Sequence, residues 1–403
     1  MISQSCESQG FSSRGLLAFF AGFSAWTFDA FDFFILTYVV PHVAQDFHRS
    51  VTDITATITA SLLMRPVGAL IFGLIADRWG RRVPLMLNIV FYSVMEVLSG
   101  FAPTYRTFYL LRLLYGVGMG GTWGVGSSLA MESVPAKWRG ALSGVLQEGY
   151  AIGNLLAAVA LWTVFPHWGW RRMFFIGVVP ALLTLILLFN VQESDAWKAT
   201  AAQRKSWSEY FQVLAKNWKR FAYLVALMAM MNFMSHGTQD LYPTFLQVER
   251  HFSTHATAIV SVISSTGAII GGIVVGLYSD RFGRRRAMVI STLLAIFLIP
   301  LWVFAPTIAV ISLGAFLIQF MVQGAWGVIP AHINELSPAE TRAFLPGFAY
   351  QVGVLIAART PQFQSATATH FGYAATMSAF AAAVFVIGAL VIAWGPEAHR
   401  TPF

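Results

Sequence analysis

The chain alternates long apolar segments with short polar segments along its whole length. Apolar runs of about 20 residues have the length that a helix needs to cross the hydrocarbon core of a bilayer. They predict twelve membrane-spanning helices, with cores at 16–41, 54–76, 84–102, 107–131, 141–164, 171–190, 221–247, 257–279, 287–304, 308–333, 343–365 and 372–394. The pattern therefore predicts an all-α membrane protein.

A polar block between spans 2 and 3 returns between spans 8 and 9. Its residues Gly73, Asp77, Arg78, Arg81 and Arg82 match, in this order, Gly276, Asp280, Arg281, Arg284 and Arg285. The same offset of 203 residues relates Trp123 to Trp326. A repeat of half the chain length indicates two copies of one folding unit, and transporters built in this way bind substrate between the copies. We predict two pseudo-symmetric six-helix bundles, at 1–190 and 221–403, joined by a cytoplasmic linker at 191–220.

Composition and charge agree with a membrane location. The chain is 57% hydrophobic and 11% charged, whereas soluble domains carry about 25% charged residues. Of the 26 basic residues, 18 fall in segments that one orientation places inside the cell and five in segments outside. The positive-inside rule then predicts a plasma (inner) membrane protein with both termini in the cytoplasm. The net charge of +8 faces anionic lipids, so we expect no nucleic-acid partner, and we expect a monomer.

Eight charged residues lie away from the ends of the predicted spans, where each costs about 2.5–3.5 kcal/mol and so is a functional candidate. The acids are Asp29, Asp32, Glu96, Glu148 and Asp240, and the bases are Arg65, Arg112 and Arg359. The excess of carboxylates, together with His236, predicts that some of them hold a proton and couple transport to proton movement. Two alternatives are a water-filled cavity in which all stay ionised, and structural pairs such as Arg112 with an acid of span 1.

Span 7 carries the most specific polar pattern. Its residues Asn232, Ser235, His236, Gln239 and Asp240 share one helical face. Such a face is incompatible with lipid, so we expect it to line a cavity. The repeat places Asp29 opposite Asn232 and Asp32 opposite Ser235, as a site between two halves requires. No metal-binding or nucleophile motif is present, so we predict no enzymatic activity and no cofactor other than the coupling proton.

The duplicated block Gly-x-x-x-Asp-Arg-x-Gly-Arg-Arg resembles the signature loop of the major facilitator superfamily, and Arg112-x-x-x-Gly-x-Gly resembles its span-4 motif. The resemblance implies a cytoplasmic latch that holds the outward-open state. Its members would be Gly73, Asp77, Arg78, Arg81, Arg82, Asp280, Arg281 and Arg284, with Arg112 in a coupling or structural role. The alternative is that these charges only set the topology.

The span-7 run also resembles the signature of the fungal lactate–pyruvate:proton symporters, which belong with the bacterial sialate:proton symporters. This implies that His236 and Asp240 couple protons and that Asn232 and Gln239, flanked by Ser235, contact substrate. Aromatic-acid:proton symporters usually have a glycine where this chain has Ala30, and sialate carriers tend to have a longer centre. The expected function is proton-coupled symport of a small monocarboxylate such as lactate. Another organic acid, or a transporter-like sensor, remains the alternative.

A carboxylate substrate requires a cation. Arg65 is the first candidate, because a guanidinium in the middle of span 2 can bind a carboxylate through two parallel hydrogen bonds. Arg359 in span 11 is the second candidate and Arg112 is the third. The alternative role for Arg65 is an internal ion pair with Asp29 or Asp32.

Overall fold

The computed structural model describes residues 13–49, 51–201 and 206–397, and the regular structure within these ranges is helical. The first six spans are formed by eight helices. They are α1 (Ser13–Asp46), α2 (Val51–Trp79), α3 (Arg82–Gly100), α4 (Tyr105–Glu132), α5 (Arg139–Gln147) with α6 (Gly149–Thr163), and α7 (Phe165–Ile176) with α8 (Val178–Asn190). Each pair forms one interrupted span.

The linker carries two short helices, α9 (Asp195–Ala201) and α10 (Trp207–Lys216). The second set of spans comprises α11 (Trp218–Gln239) with α12 (Tyr242–Val248), α13 (Thr254–Phe282), α14 (Arg284–Val303), α15 (Ile308–Leu336), α16 (Phe344–Ala357) with α17 (Thr360–Phe371), and α18 (Tyr373–Trp394). Short 3₁₀ helices, Ala136–Trp138 and Ala339–Thr341, precede α5 and α16.

Each of the twelve predicted spans thus corresponds to one helix or to two consecutive helices of the described chain. Eight segments of that chain are long and apolar enough to cross a membrane by themselves. The other four spans are the Gly-rich α4 and the interrupted spans 5, 7 and 11. The prediction of an all-α membrane protein with two six-helix halves is confirmed, whereas the interruptions were not predicted.

Glycines bring the helices of each half into backbone contact. Gly120 of α4 lies against Arg65 of α2, so closely that a methyl group at Gly120 would overlap the Arg65 carbonyl. In the second half, Gly271 of α13 lies in the same way against Phe320 of α15. Small residues permit such approaches between membrane helices, and this one fixes the depth of Arg65 relative to α4.

The two halves meet at the Arg-rich end, which is formed by Arg78–Arg82 and Arg281–Arg286. The Asp77 carboxylate accepts hydrogen bonds from the backbone N–H groups of Ala343 and Phe344, at 3.0 and 3.1 Å, where α16 begins. The Asp280 carboxylate accepts from Gly140 and Ala141, also at 3.0 and 3.1 Å, in the first turn of α5. Each half therefore caps the N-terminus of a helix in the other half, where carboxylates are stabilised.

Buried ion pairs surround both caps. Arg81 contacts Asp77 at 3.3 Å and Glu132 at 3.1 Å. The equivalent Arg284 contacts Asp280 at 2.8 Å and Glu335 at 3.1 Å. Burial would lower the pKa of Arg81, but the Glu132 and Asp77 carboxylates beside it raise that pKa above its ordinary value.

Two further pairs cross between the halves. Arg139 contacts Glu335 at 3.2 Å, and Arg342 lies 4.0 Å from Glu132. Burial lowers the pKa of Arg342 to about 10, so this guanidinium is still charged at neutral pH. The contacts at the Arg-rich end are thus duplicated by the same offset as the sequence.

Not every arginine predicted for the latch joins the two halves. Arg82 donates to the carbonyls of Leu188 and Phe189, at 2.9 and 2.8 Å, and so stays within its own half at the end of α8. Arg281 is exposed. Arg78 is half-buried at the end of α2, and Gly73 packs directly against Phe344 of α16. The caps of Asp77 and Asp280 and the ion pairs of Arg139 and Arg342 join the two halves. Arg81 and Arg284 pair with acids of their own half.

The linker packs against the same end. The Trp197 indole of α9 donates to the backbone carbonyl of Asp77 at 3.1 Å, and Ser194 donates to Glu132. Ser206 and Glu209 form a capping box at the start of α10. The linker therefore has helical structure on both sides of residues 202–205, which lie outside the described chain.

The caps give a first testable prediction. Asp77→Asn or Asp280→Asn removes the charge from two hydrogen bonds across the halves, and each charge-assisted bond contributes about 1.5–3 kcal/mol. We expect the equilibrium to shift toward opening of the Arg-rich end by about tenfold or more. The measurement is the alkylation rate of a cysteine placed at the buried Ser143 of α5, in a background without Cys6.

The matched control is Asp195→Asn in the linker, because the Asp195 side chain is 96% exposed and its ion pair within the described chain is with Lys198, one helical turn away. It should leave the alkylation rate unchanged. Equal rates in the wild type and in both cap variants would contradict a role of the caps in holding this end closed.

Candidate functional site

Arg65 lies buried between the two halves, in the middle of α2. Its guanidinium donates to the Tyr350 hydroxyl of α16 and lies 5.7 Å from the centre of that ring. The Nε and Nη2 atoms have no hydrogen-bond acceptor among the described residues. Asp29 is within electrostatic range, but no ion pair joins the two within the described chain. Arg65 is thus a buried cation with open donors.

An aromatic cluster adjoins this guanidinium through Tyr350 and consists of Trp26, Trp123, Tyr150, Trp326 and Tyr350. Trp26 stacks on Tyr150 with a centroid distance of 5.5 Å. Tyr350 lies 4.7 Å from Trp123 and 5.8 Å from Trp326. The repeat pointed to two of the three tryptophans of this cluster, Trp123 and Trp326. Sequence reasoning missed both tyrosines, because an aromatic residue in an apolar span carries no polarity signal.

The polar face of span 7 lies near the same place. His236 and Asp240 are joined by a contact of 3.0 Å, and their side chains are 27% and 32% exposed. The charge of Arg65 acts on His236, and Tyr150 lies within electrostatic range of both Arg65 and Asp240. This face therefore lies toward the first half of the chain, across from Arg65.

The other polar residues of span 7 pair mainly with α15. Gln239 donates to Gln319 at 2.7 Å, and Ser235 accepts from Gln323 at 3.0 Å. The amide of Asn232 instead donates to the carbonyl of Met228 in its own helix, at 2.7 Å. Sequence reasoning missed the two glutamines of α15. A polar helix face in an apolar environment needs hydrogen-bond partners on a neighbouring helix, and that requirement could have pointed to them.

Behind Arg65 lies a buried acid network, formed by Asp29, Asp32, Glu96 and Arg112, all at most 1% exposed. Arg112 pairs with Glu96 and lies 3.9 Å from the centre of the Tyr115 ring. Thr122 donates to Asp29 at 3.4 Å, and neither oxygen of Asp32 has a hydrogen-bond partner among the described residues. The suggested pairing of Arg112 with an acid of span 1 was wrong, since its partner is on span 3.

Two predicted residues lie elsewhere. Arg359 is exposed at the junction of α16 and α17. It is not among the charged residues that act on His236, Asp29 or Tyr150. Glu148 is buried between α5 and α6, against Gly272 of α13. The structure thus groups Arg65, Asp29, His236 and Asp240 and leaves these two apart. The proposed roles of all these residues stay predictions.

This arrangement agrees with what sequence and structure comparisons find. The family model described as Major Facilitator Superfamily matches residues 18–276 and 241–402. The chain belongs to the major facilitator superfamily. It is therefore a multi-pass membrane transporter and not an enzyme.

Individual relatives are more distant. The chain is 31% identical over 379 residues to a carboxylic acid transporter protein homolog of Saccharomyces cerevisiae, a match that covers 88% of this chain and 61% of the relative. It spans therefore less than two thirds of that protein. It is 30% identical to the sialic acid transporter NanX of Escherichia coli, over 87% of each chain.

The fold agrees with a solved structure of the same superfamily. The proton:xylose symporter XylE matches with a TM-score of 0.78 and 18% identity, over 98% of this chain and 99% of that one. At this low sequence identity, the structural similarity is evidence for the fold only.

The contact that sets the depth of Arg65 gives a second prediction. Gly120→Ala would push the Arg65 backbone away from α4, because the added methyl meets a carbonyl oxygen rather than a movable side chain. Overpacking of this kind costs about 1–3 kcal/mol. We expect a clearly lower midpoint of thermal unfolding in detergent, followed by tryptophan fluorescence.

Gly126→Ala, on the same helix, is the matched control. The nearest atom to an added methyl there is 3.6 Å away, and alanine is the better helix former by up to about 1 kcal/mol. Its unfolding midpoint should equal or exceed that of the wild type. A Gly120→Ala protein as stable as Gly126→Ala would mean that α2 and α4 are not held at this distance.

Proposed function

We propose that the protein is a proton-coupled symporter of small organic monocarboxylates, with Arg65 as the residue that binds the substrate carboxylate. The observation that carries the proposal is the buried guanidinium between the halves, whose Nε and Nη2 atoms have no hydrogen-bond acceptor in the described part of the chain. A buried cation without a partner is costly, and a carboxylate supplies both the opposite charge and two acceptors for a guanidinium fork.

The surroundings of Arg65 suit the rest of a small organic acid. The aromatic cluster offers apolar walls, with Tyr350 and Tyr150 nearest to the guanidinium. Ser235 and Gln239, held by Gln323 and Gln319, supply polar groups for a hydroxyl or keto oxygen on the substrate. A ligand bound in this way touches both halves, as a substrate that is carried by movement of the halves must do.

Proton coupling follows from the charges around the site. Asp29 has Arg65 within range as a countercharge, and a substrate carboxylate bound to Arg65 would neutralise that countercharge. A buried carboxylate that loses its countercharge binds a proton, because the ionised form is strongly disfavoured away from water. Substrate and proton are then taken up together. The His236–Asp240 pair is a second proton acceptor on the opposite side of the site.

The relatives support the class of substrate. The yeast protein is named as a carboxylic acid transporter homolog and the bacterial protein as a sialic acid transporter. Both names refer to organic acids, which a site built around one arginine suits. The neutral loaded site would then allow the halves to rock, with the caps at the Arg-rich end acting as a latch.

An aromatic acid is the second candidate substrate. The aromatic cluster favours it, because Tyr350 and Tyr150 could stack on a planar ring whose carboxylate is bound to Arg65. A panel of lactate, pyruvate, sialic acid and benzoate, used as competitors for uptake, separates the two candidates. A sensor that binds without carrying would bind these acids but fail to accumulate any of them in vesicles.

The proposed stoichiometry gives a third prediction. With one proton per monoanion no net charge crosses the membrane, so a potential, worth about 2.3 kcal/mol per charge per 100 mV, contributes nothing. A pH gradient contributes about 1.4 kcal/mol per unit. In proteoliposomes we expect accumulation of labelled lactate to rise about tenfold per unit of imposed pH gradient. Accumulation that follows an imposed potential at a fixed pH gradient would rule out one-to-one symport.

The role of Arg65 gives a fourth prediction. Arg65→Gln removes the charge and Arg65→Lys keeps it but loses the planar fork. Loss of one or two charge-assisted hydrogen bonds, at about 1.5–3 kcal/mol each, should lower substrate affinity at least tenfold in both variants. Affinity is measured by competition for labelled substrate on purified protein.

Arg359→Gln is the matched control, because it removes one guanidinium of a predicted span from an exposed position outside the cluster around Arg65. It should retain wild-type affinity. The reverse result, with affinity lost in Arg359→Gln and kept in Arg65→Gln, would transfer the carboxylate site to span 11.

A further inference from the structure

Glu148 occupies a position that the site around Arg65 does not use. It lies where span 5 is interrupted, between the last residue of α5 and the first residue of α6. Its side chain is buried, and its Oε1 atom has no hydrogen-bond partner among the described residues. The carboxyl group is pressed against Gly272 of α13, in the other half, where a methyl group would overlap it.

This place is a tightly closed seam between the halves, formed by Gly144 and Glu148 of one half and Gly272 of the other. A methyl group at Gly144 would overlap the carbonyl of Gly272, and one at Gly327 of α15 would do the same. Backbone therefore lies against backbone on the side of Glu148 that faces the second half. At this contact Glu148 is 3% exposed.

No ion pair of Glu148 is found within the described chain, and its Oε1 atom has no hydrogen-bond partner there. On α15, the titratable His332 follows Ala331, whose N–H donates to Ser143 of α5 at 2.9 Å, and neither ring nitrogen of His332 has a hydrogen-bond partner among the described residues. The nearest ionised residues of its own span and of α15, Arg139 and Glu335, belong to the Arg-rich end and pair with each other. Arg139 is about 13 Å away along the helix axis.

The repeat supplies an independent comparison. The residue equivalent to Glu148 is Gln351 of α16, which is fully buried at the other contact between the halves. Its amide donates across the halves to the carbonyl of Gly120, at 3.4 Å. One half thus fills this position with a neutral side chain, and a protonated glutamic acid has the same shape and the same lack of charge as that glutamine.

We propose that Glu148 is a proton-binding site of the seam: its carboxyl is protonated while the Arg-rich end is closed and ionises when that end opens. On opening, the carboxyl O–H bond breaks, the electron pair stays on the oxygen, and the proton passes to the water that enters the seam. Closing reverses this step and takes up one proton. The inference rests on the proposed alternation of a proton-coupled carrier and adds a proton site outside the substrate chamber.

Linkage gives the size of the effect. If the closed form binds one more proton than the open form, the ratio of closed to open molecules falls tenfold for each pH unit, above the pH at which the exposed carboxyl ionises. Acid therefore favours the closed form and alkali the open form. An ionised Glu148 in the closed seam would be a buried charge without a partner, so the deprotonated protein does not close.

The test uses the full chain in lipid nanodiscs, without substrate or gradient, with Cys6 replaced by serine. Spin labels at Lys137→Cys and Arg286→Cys, which are exposed on opposite halves of the Arg-rich end, report the closed fraction over a pH series. With glutamate at position 148, the ratio of closed to open molecules should fall tenfold per pH unit. Glu148→Gln should stay closed at every pH and lose that dependence, whereas Asp195→Asn, in the exposed part of the linker, should keep it.

A Glu148→Gln protein that retains the wild-type pH dependence would overturn the inference. Infrared difference spectra of the closed form provide a second readout: the wild type minus Glu148→Gln should contain the C=O band of a carboxylic acid, and a carboxylate band in its place would also overturn it. If Glu148→Gln does not fold, Gln351→Glu tests the converse, because a second seam carboxyl should steepen the dependence toward a hundredfold per unit, and an unchanged slope would contradict the inference.

The outcome is separable from that of the proposed function, because no substrate is present. Proton-driven uptake together with an unchanged pH dependence in Glu148→Gln would leave the symporter standing and remove the seam site. If Glu148→Gln loses the pH dependence but the protein accumulates no carboxylate, the seam site stands and the symporter proposal falls.

Discussion

The Arg65 guanidinium lies buried between two bundles of helices, with a tyrosine hydroxyl as one acceptor and two donor atoms unbonded within the described chain. A cation in such a place is stable only if something nearby offsets its charge, and here the candidates are Asp29 and the ligand itself. Its neighbours on α4 and α16 fix its position. Gly120 sets the depth of α2 against α4, and Tyr350 of the aromatic cluster lies against the guanidinium.

The contacts at the Arg-rich end impose the second constraint, which is geometric. Asp77 caps α16 and Asp280 caps α5, so each half holds the first turn of an interrupted span that belongs to the other half. The two caps are related by the repeat, so the same contact is made twice between the halves. The helices held in this way, α5 and α16, lead to Glu148 and carry Tyr350.

The sequence was sufficient for the features that depend on local pattern. Apolar run length predicted the spans, the repeat predicted the two halves, and the spacing of His236 and Asp240 predicted their contact. Sequence reasoning failed for contacts that depend on which helices pack side by side in three dimensions. Arg112 chose Glu96 on span 3 over the acids of span 1, because α3 and α4 pack side by side. Glu193 and Glu397 cap the starts of α3 and α14 but were missed, since their offset is one residue longer than that of the repeat.

The positions at which the two halves of the repeat carry different residues are informative. At the Arg-rich end the two halves carry the same residues, because the same cap is needed twice. At mid-membrane they differ: Arg65 matches Ala268, Glu96 matches Ile299 and Arg112 matches Ala315. The first half thus bears the buried charges, and the second half presents an apolar or neutral partner at each equivalent place. A charge on one surface and a neutral group on the other avoids two costly buried charges while leaving one site that a proton or an anion can neutralise. Glu148 and Gln351 follow the same rule at equivalent positions of the repeat, with a carboxyl group in the first half and a neutral amide in the second.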